Sequence, residues 1–84
     1  MISGLKGKIT KLDVSSVFLD TGAVTYEILI SFKTYSEIKE QKINDIYLHV
    51  YHSITDRSEK LFGFLSNKDR ELFKAMKSLN GIGE

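Results

Sequence analysis

The sequence predicts a mainly β fold, a small five-stranded barrel with a short helical insert, followed by a C-terminal α-helix. The first observation is that apolar and polar residues alternate over residues 24–32 and again over 45–53. The second is that five short strand-like segments precede residue 65, separated by polar turns or by the helical insert. The third is a change to helical spacing after Ser66. A small closed barrel of five strands is most often an OB-fold Greek-key barrel.

The opening strand is predicted to bend sharply. Residues 2–11 are suited to a strand, but Gly4 and Gly7 interrupt them, as happens where a barrel strand turns a corner. Polar turns at residues 13–16 and 21–22 then enclose a short second strand. The first strand is therefore expected to be coiled.

The two alternating segments supply most of the predicted core. Their inward-facing positions are expected to be Val24, Tyr26, Ile28, Ile30, Ile46, Leu48 and Val50, with Phe32 continuing the first series. Between the segments, Thr34 and Glu37 have the spacing of a capping box, which predicts a short helix ending near Gln41.

The last two strands are predicted to meet at an exposed hairpin tip formed by the polar residues 55–58. Ser66 or Asn67 can then cap a helix that extends to Leu79. This helix has an apolar stripe, which we expect to pack onto a core: Leu72, Phe73, Met76 and Leu79.

Composition restricts the class of protein. The 84 residues fit one domain of modest stability, which association with other copies would increase. The chain is 42% hydrophobic and 27% charged, and no stretch approaches the roughly 18 apolar residues of a membrane helix. It has no Cys and no secretory leader pattern, so we expect a cytoplasmic protein without disulfides or thiolate chemistry. The net charge of +1 neither requires nor excludes a nucleic-acid partner.

Several short motifs occur in a specific order along the chain. They are Met1-Ile2 with Leu5, Gly7 and Ile9; the segment 20–27; Leu61-Phe62-Gly63-Phe64; Asp69-Arg70 with Leu72-Phe73; and Asn80-Gly81-Ile82-Gly83. In order and spacing this series resembles the RuvA family of Holliday-junction-binding proteins, although segment 20–27 lacks two of the family's glycines. The resemblance spans the whole chain. Because such proteins are longer, it implies a truncated form.

The resemblance implies an OB-fold domain over residues 1–64 and the start of a helix-hairpin-helix domain over 65–84. It implies a non-catalytic, cofactor-free subunit that binds four-way junction DNA as a homotetramer, in the recombination and repair of DNA. It further implies that a RuvB-type AAA+ ATPase supplies the motor through a C-terminal domain absent from this chain. The sequence itself has no Walker-type glycine loop, in agreement with a motor that lies elsewhere.

The resemblance assigns DNA binding to Asn80, Gly81, Ile82 and Gly83. A hairpin without bulky side chains lets backbone N–H groups at a helix start approach a phosphate. On the residues alone, a Gly pair after a helix can also be a plain helix C-cap. Glu84 stands where the family usually has Pro and then a basic residue, so we expect an incomplete and weak DNA site.

The resemblance also places a junction pin at the hairpin tip, on Asp56 and Arg57. In the family two acids occupy these positions and repel DNA phosphates near the centre of the junction. Here Arg57 replaces the second acid, so the two charges nominally cancel. The alternative interpretation is a solvated turn with no role.

The two histidines do not predict a catalytic or metal site. His49 and His52 are three apart on one strand and therefore fall on opposite faces. We expect partly exposed strand histidines, no catalytic residues and no metal ligands.

Other residues leave alternatives open. Tyr47, His49 and Tyr51 share one strand face, where an OB barrel can stack nucleic-acid bases or where subunits can pack. The basic residues of the last helix are expected to form a solvated face: Lys68, Arg70, Lys74 and Lys77. Junction binding is the leading function; a generic single-stranded nucleic-acid-binding OB module is its rival, and a pure subunit-interaction domain is third.

Overall fold

A computed structural model of the chain describes residues 1–80, which form a closed five-stranded barrel with two helices. The strands and helices are, in chain order, β1 (Gly4–Leu12), β2 (Ser16–Asp20), β3 (Thr25–Leu29), α1 (Phe32–Gln41), β4 (Asp45–Ile54), β5 (Glu59–Phe64) and α2 (Asn67–Asn80). Around the barrel the order is β1-β2-β3-β5-β4. All neighbours are antiparallel except β3 and β5, which meet in parallel. The predicted OB-type barrel with a helical insert and a following helix is confirmed.

Strand β1 closes the barrel because it bends and pairs with two neighbours. Its first half pairs with β4 and its second half with β2, with a register irregularity between Ile9 and Lys11. A Cβ atom added at Gly7 would lie 2.3 Å from the backbone oxygen of Asp20, so a side chain there would force β2 away. The predicted coiled first strand is confirmed, and Gly7 permits the close approach of β2.

The core lies inside the barrel and receives residues from β2, β3, β4 and α1. Its buried apolar members are Val17, Leu19, Ile28, Ile38, Ile46, Leu48 and Val50. The predicted inward positions in β4 and at Ile28 are therefore confirmed. Tyr26 and Ile30 are half-buried and pack against this cluster.

The alternating segment 24–32 is longer than the strand that it predicted. Val24 is 48% exposed because it lies in the turn before β3, where its carbonyl oxygen accepts hydrogen bonds from the backbone and hydroxyl of Thr21. Phe32 is 68% exposed because it is already the first residue of α1. The predicted inward orientation of these two residues is wrong, since alternation continues past the ends of the paired strand.

Helix α1 begins earlier than the capping-box spacing predicted. Its N-cap is Ser31, whose hydroxyl oxygen accepts the backbone N–H of Thr34 at 3.1 Å. Thr34 lies inside the helix and is buried. The predicted cap at Thr34 is therefore wrong, while the predicted end at Gln41 is confirmed.

Helix α2 begins after Ser66, whose hydroxyl oxygen accepts the backbone N–H of Asp69 at 3.1 Å. Its apolar stripe was predicted to pack onto a core, and this is wrong for three of its members, which are exposed: Leu72, Met76 and Leu79. Only Phe73 packs on the barrel. The side of α2 that contacts the barrel carries Arg70, Phe73 and Lys77, at helical spacing i, i+3 and i+7, and the other three members of the stripe lie to one side of this contact face.

Candidate nucleic-acid interface

The β4–β5 hairpin ends in a turn whose backbone is fixed by Thr55. The Thr55 backbone N–H donates to the Ser58 carbonyl oxygen at 2.8 Å. The Thr55 hydroxyl oxygen accepts the backbone N–H of Ser58 at 3.0 Å and that of Arg57 at 3.3 Å. Asp56 and Arg57 are both exposed, which confirms the predicted exposed tip. The turn therefore presents one carboxylate and one guanidinium side by side on a hydrogen-bonded support.

A buried histidine stands at the base of this hairpin. His52 is 8% exposed, so the expectation of a partly exposed strand histidine is wrong for this residue. The Ile2 backbone N–H donates to His52 Nδ1 at 3.1 Å, which places the imidazole hydrogen on Nε2. That nitrogen lies 2.6 Å from Glu59 Oε2, to which it donates. His52 therefore links the start of the chain to β5. In the sequence, only the continuation of the inward-facing series of β4 beyond Val50 could have indicated that His52 is buried.

The outward face of β4 is only partly open. Tyr47 is 50% exposed, and its ring meets that of His49 edge-on with 5.0 Å between centroids. Tyr51 packs instead against Phe73 of α2, at 5.5 Å, and against Phe62, at 6.3 Å. The predicted opposite orientation of the two histidines is confirmed. A base could stack on Tyr47, whereas α2 occupies the space beside Tyr51.

The basic residues of α2 do not form one solvated face. The Arg70 side chain is 18% exposed, and its Nη1 atom donates to the Ser3 carbonyl oxygen at 2.8 Å. The Lys77 Nζ atom lies 5.8 Å from the ring centroid of Phe73 and 5.9 Å from that of Phe62. The solvated-face expectation is wrong for these two residues and right for Lys68 and Lys74, which are exposed.

The predicted phosphate-binding residues begin at the end of α2. Asn80 is the last residue of that helix, and Gly81, Ile82 and Gly83 lie outside the described residues. Within residues 1–80, no group of three or more His, Cys, Asp or Glu residues could hold a metal ion. In the same range no helix combines the length and the apolar character needed to cross a membrane.

Comparison with known proteins identifies the family. The sequence-family model described as the RuvA N-terminal domain matches residues 1–63 of the chain. A Leptospira biflexa protein named "Holliday junction branch migration complex subunit RuvA" is 46% identical over all 84 residues of the chain, which cover 42% of that protein. Proteins of the same name from Azobacteroides pseudotrichonymphae and a Nitratiruptor species are 36% and 34% identical over 99% of the chain, covering 41% and 44% of their lengths. The chain thus spans about two-fifths of the relatives that it matches, and its sequence and its barrel place it in the RuvA family.

Proposed function

We propose that this chain recognises four-way DNA junctions as part of a branch-migration complex in DNA recombination and repair. The observation that carries the proposal is the exposed, Thr55-supported tip with Asp56 and Arg57, in a chain of the RuvA family. The relatives are named as subunits of a Holliday junction branch migration complex, and the match covers the hairpin and α2 as well as the barrel. We therefore assign the tip to the centre of the junction.

The proposed roles are assigned to successive segments of the chain. Residues 1–64 form the OB-fold domain that carries the pin, and residues 65–84 begin a helix-hairpin-helix domain whose residues 80–83 contact phosphates through backbone N–H groups. The subunit is non-catalytic and assembles as a homotetramer around the junction. ATP hydrolysis belongs to a RuvB-type AAA+ partner. Because chromosomal DNA is the substrate, the site of action is the cytoplasm.

The two tip residues have opposite effects on DNA. The Asp56 carboxylate repels phosphates and the Arg57 guanidinium attracts them, so their contributions nearly cancel at distances longer than their separation. The exposure of both side chains keeps each one available to the DNA. In this chain the pin therefore separates strands by its shape more than by repulsion.

A competition experiment tests the proposed function. The complete product of the gene that encodes this chain is mixed with a labelled four-way junction and challenged with unlabelled junction, duplex or single strand at one salt concentration. We expect unlabelled junction to compete much better than duplex or single strand of equal length. Equal competition by duplex would contradict junction recognition.

The 84-residue chain by itself should bind junction DNA weakly or not at all. Its net charge of +1 leaves few uncompensated cations to neutralise phosphates and to release counterions. The measurement is a titration of labelled junction with the chain and with the full-length Leptospira biflexa relative in the same buffer. Equal affinities would show that residues 1–84 already hold the principal phosphate contacts.

A single-stranded nucleic-acid-binding module is the second candidate, and the half-exposed ring of Tyr47 favours it. If bases stack on this ring, Tyr47→Ala should weaken single-strand binding by about 1 to 3 kcal/mol. The junction proposal instead expects Tyr47→Ala to change junction affinity by less than about twofold, because a rim side chain away from the pin contributes little. Phe32→Ala, on α1, removes another exposed aromatic ring and is the matched control.

A further inference from the structure

Arg70 connects α2 to the first residues of the chain, and every nitrogen of its guanidinium group has a partner. Nη1 donates to the Ser3 carbonyl oxygen at 2.8 Å, a contact between residues 67 positions apart. Nη2 donates to Asn67 Oδ1 at 2.5 Å, within the first turn of the helix. Nε and Nη2 lie 3.2 and 3.1 Å from Glu71 Oε2. With its side chain only 18% exposed, Arg70 is held on both the helix side and the barrel side.

The acceptor on the barrel side is itself fixed. The Ser3 carbonyl oxygen also accepts the backbone N–H of Val50, in the middle of β4, at 2.9 Å. The neighbouring Ile2 N–H donates to the buried His52. A carbonyl oxygen has two lone pairs, so both donors can be satisfied. Arg70 therefore bonds an acceptor that moves with the barrel and not with a free end of the chain.

The other contacts of α2 with the barrel are less directional. The Phe73 ring lies 5.1 Å from Phe62, 5.2 Å from Phe64 and 5.5 Å from Tyr51, between centroids. Apolar contacts of this kind hold surfaces together but tolerate rotation, whereas charge-assisted hydrogen bonds fix geometry. Phe73 thus gives α2 a contact about which the helix can tilt, and the Arg70 hydrogen bond to Ser3 is the directional contact.

We propose that Arg70 is a positioning residue, which sets the direction of α2 on the barrel and hence the separation between the end of α2 and the β4–β5 hairpin tip. This inference rests on the proposed function, in which the residues after α2 contact phosphates and the tip lies at the junction centre. A four-way junction presents both contacts at one fixed separation, and a duplex does not. Loss of Arg70 should therefore reduce the preference for junctions over duplex.

The positioning itself can be measured without DNA. The sequence has no Cys, so Ser78→Cys on α2 and Thr10→Cys on β1, both exposed positions, give two unique sites for spin labels. A tilt of about 20° about Phe73 would move residue 78 by roughly 3 Å, because each helical residue adds 1.5 Å of length. The distance between the labels is recorded in the 84-residue chain, diluted with unlabelled chain so that only distances within one chain contribute.

Arg70→Gln should broaden or shift this distance distribution by about 3 Å. Lys68→Gln removes the same charge from an exposed position of α2 and should leave the distribution unchanged. Arg70→Lys keeps the positive charge but loses the planar guanidinium group that donates in several directions, so its distance distribution should be intermediate. If circular dichroism shows that Arg70→Gln does not fold, Asn67→Ala, which removes one of the two helix-side acceptors and keeps Arg70, should still broaden the distribution. The proposal is overturned if the distance distribution of Arg70→Gln is identical to that of the parent. Where Asn67→Ala is needed instead, an unchanged distribution for that variant overturns it.

The DNA consequence is measured on the complete gene product as the ratio of junction affinity to duplex affinity. Arg70→Gln should lower this ratio roughly threefold to tenfold, the scale of the net contribution of one ordinary hydrogen bond, and Lys68→Gln should not lower it. A broadened label distance with an unchanged ratio would overturn the DNA part of the proposal. A parent protein without any junction preference would overturn the proposed function, while the label distances would still decide the positioning role.

Discussion

Replacing Leu48 with alanine should lower the free energy of unfolding by about 2 to 5 kcal/mol. Leu48 is fully buried in the centre of β4, opposite Leu5 of β1, and its Cδ1 atom would lie 3.2 Å from a Cβ atom added at Gly63 of β5. Both neighbouring strands are held by the closed barrel, so the structure cannot collapse around the cavity. The loss is a large part of the stability of a domain of this size.

Chemical denaturation of the 84-residue chain gives the measurement. Leu79→Ala is the matched control, because Leu79 is 86% exposed and its truncation should change stability by less than about 0.5 kcal/mol. An unfolding free energy for Leu48→Ala equal to that of the control would contradict the core that the barrel defines.

Replacing Arg57 with glutamate should weaken junction binding by the complete gene product by about tenfold or more at low salt. Each subunit then changes by two charge units and presents two acids at the tip, and in a tetramer the repulsions add at one place. Arg57→Ala removes only the attraction and should lie between the parent and Arg57→Glu. Added salt should reduce both losses, because the tip is exposed and its charges are screened.

The assay is junction affinity across a salt series for the parent and both variants. Lys39→Glu makes the same change of charge at an exposed position of α1 and controls for net charge alone. Neither Arg57 variant should change stability by more than about 0.5 kcal/mol, since the side chain is exposed. Equal affinities of parent and Arg57→Glu at low salt would mean that residue 57 does not face the junction, and the pin assignment would then be wrong.

Much of the fold could be predicted because its signals are local. The alternation of residues 45–53 predicted β4 and its buried face, since successive side chains of a strand point to opposite sides. The same rule failed at Val24 and Phe32, because alternation does not indicate where strand pairing ends. Likewise Thr34 had the spacing of a cap, but Ser31 accepts the hydrogen bond that begins α1.

The position of the candidate site could be predicted from the sequence, but the hydrogen bonds that support it could not. The order of short motifs located the hairpin tip, and Asp56 and Arg57 lie there, exposed. The Thr55 hydrogen bonds that support the tip, and the buried pair of His52 and Glu59 at its base, were not predicted. His52 looked like an exposed strand residue because its partners, Ile2 and Glu59, are identified only when β4, β5 and the start of the chain come together.

By itself the sequence determined which segments are strands and helices, the inward face of β4 and the family to which the chain belongs. These properties depend on spacing along the chain, and a period of two or 3.6 residues is visible in any short window. Only the tertiary structure decided which side of α2 meets the barrel. The apolar stripe predicted one side, but of its members only Phe73 packs against the rings of Tyr51, Phe62 and Phe64, and the second contact is made by a cation, Arg70, which donates to the Ser3 carbonyl 67 positions away. The orientation of a packed helix depends on the residues that neighbouring elements present to it. Those residues have no fixed spacing from the helix in the sequence.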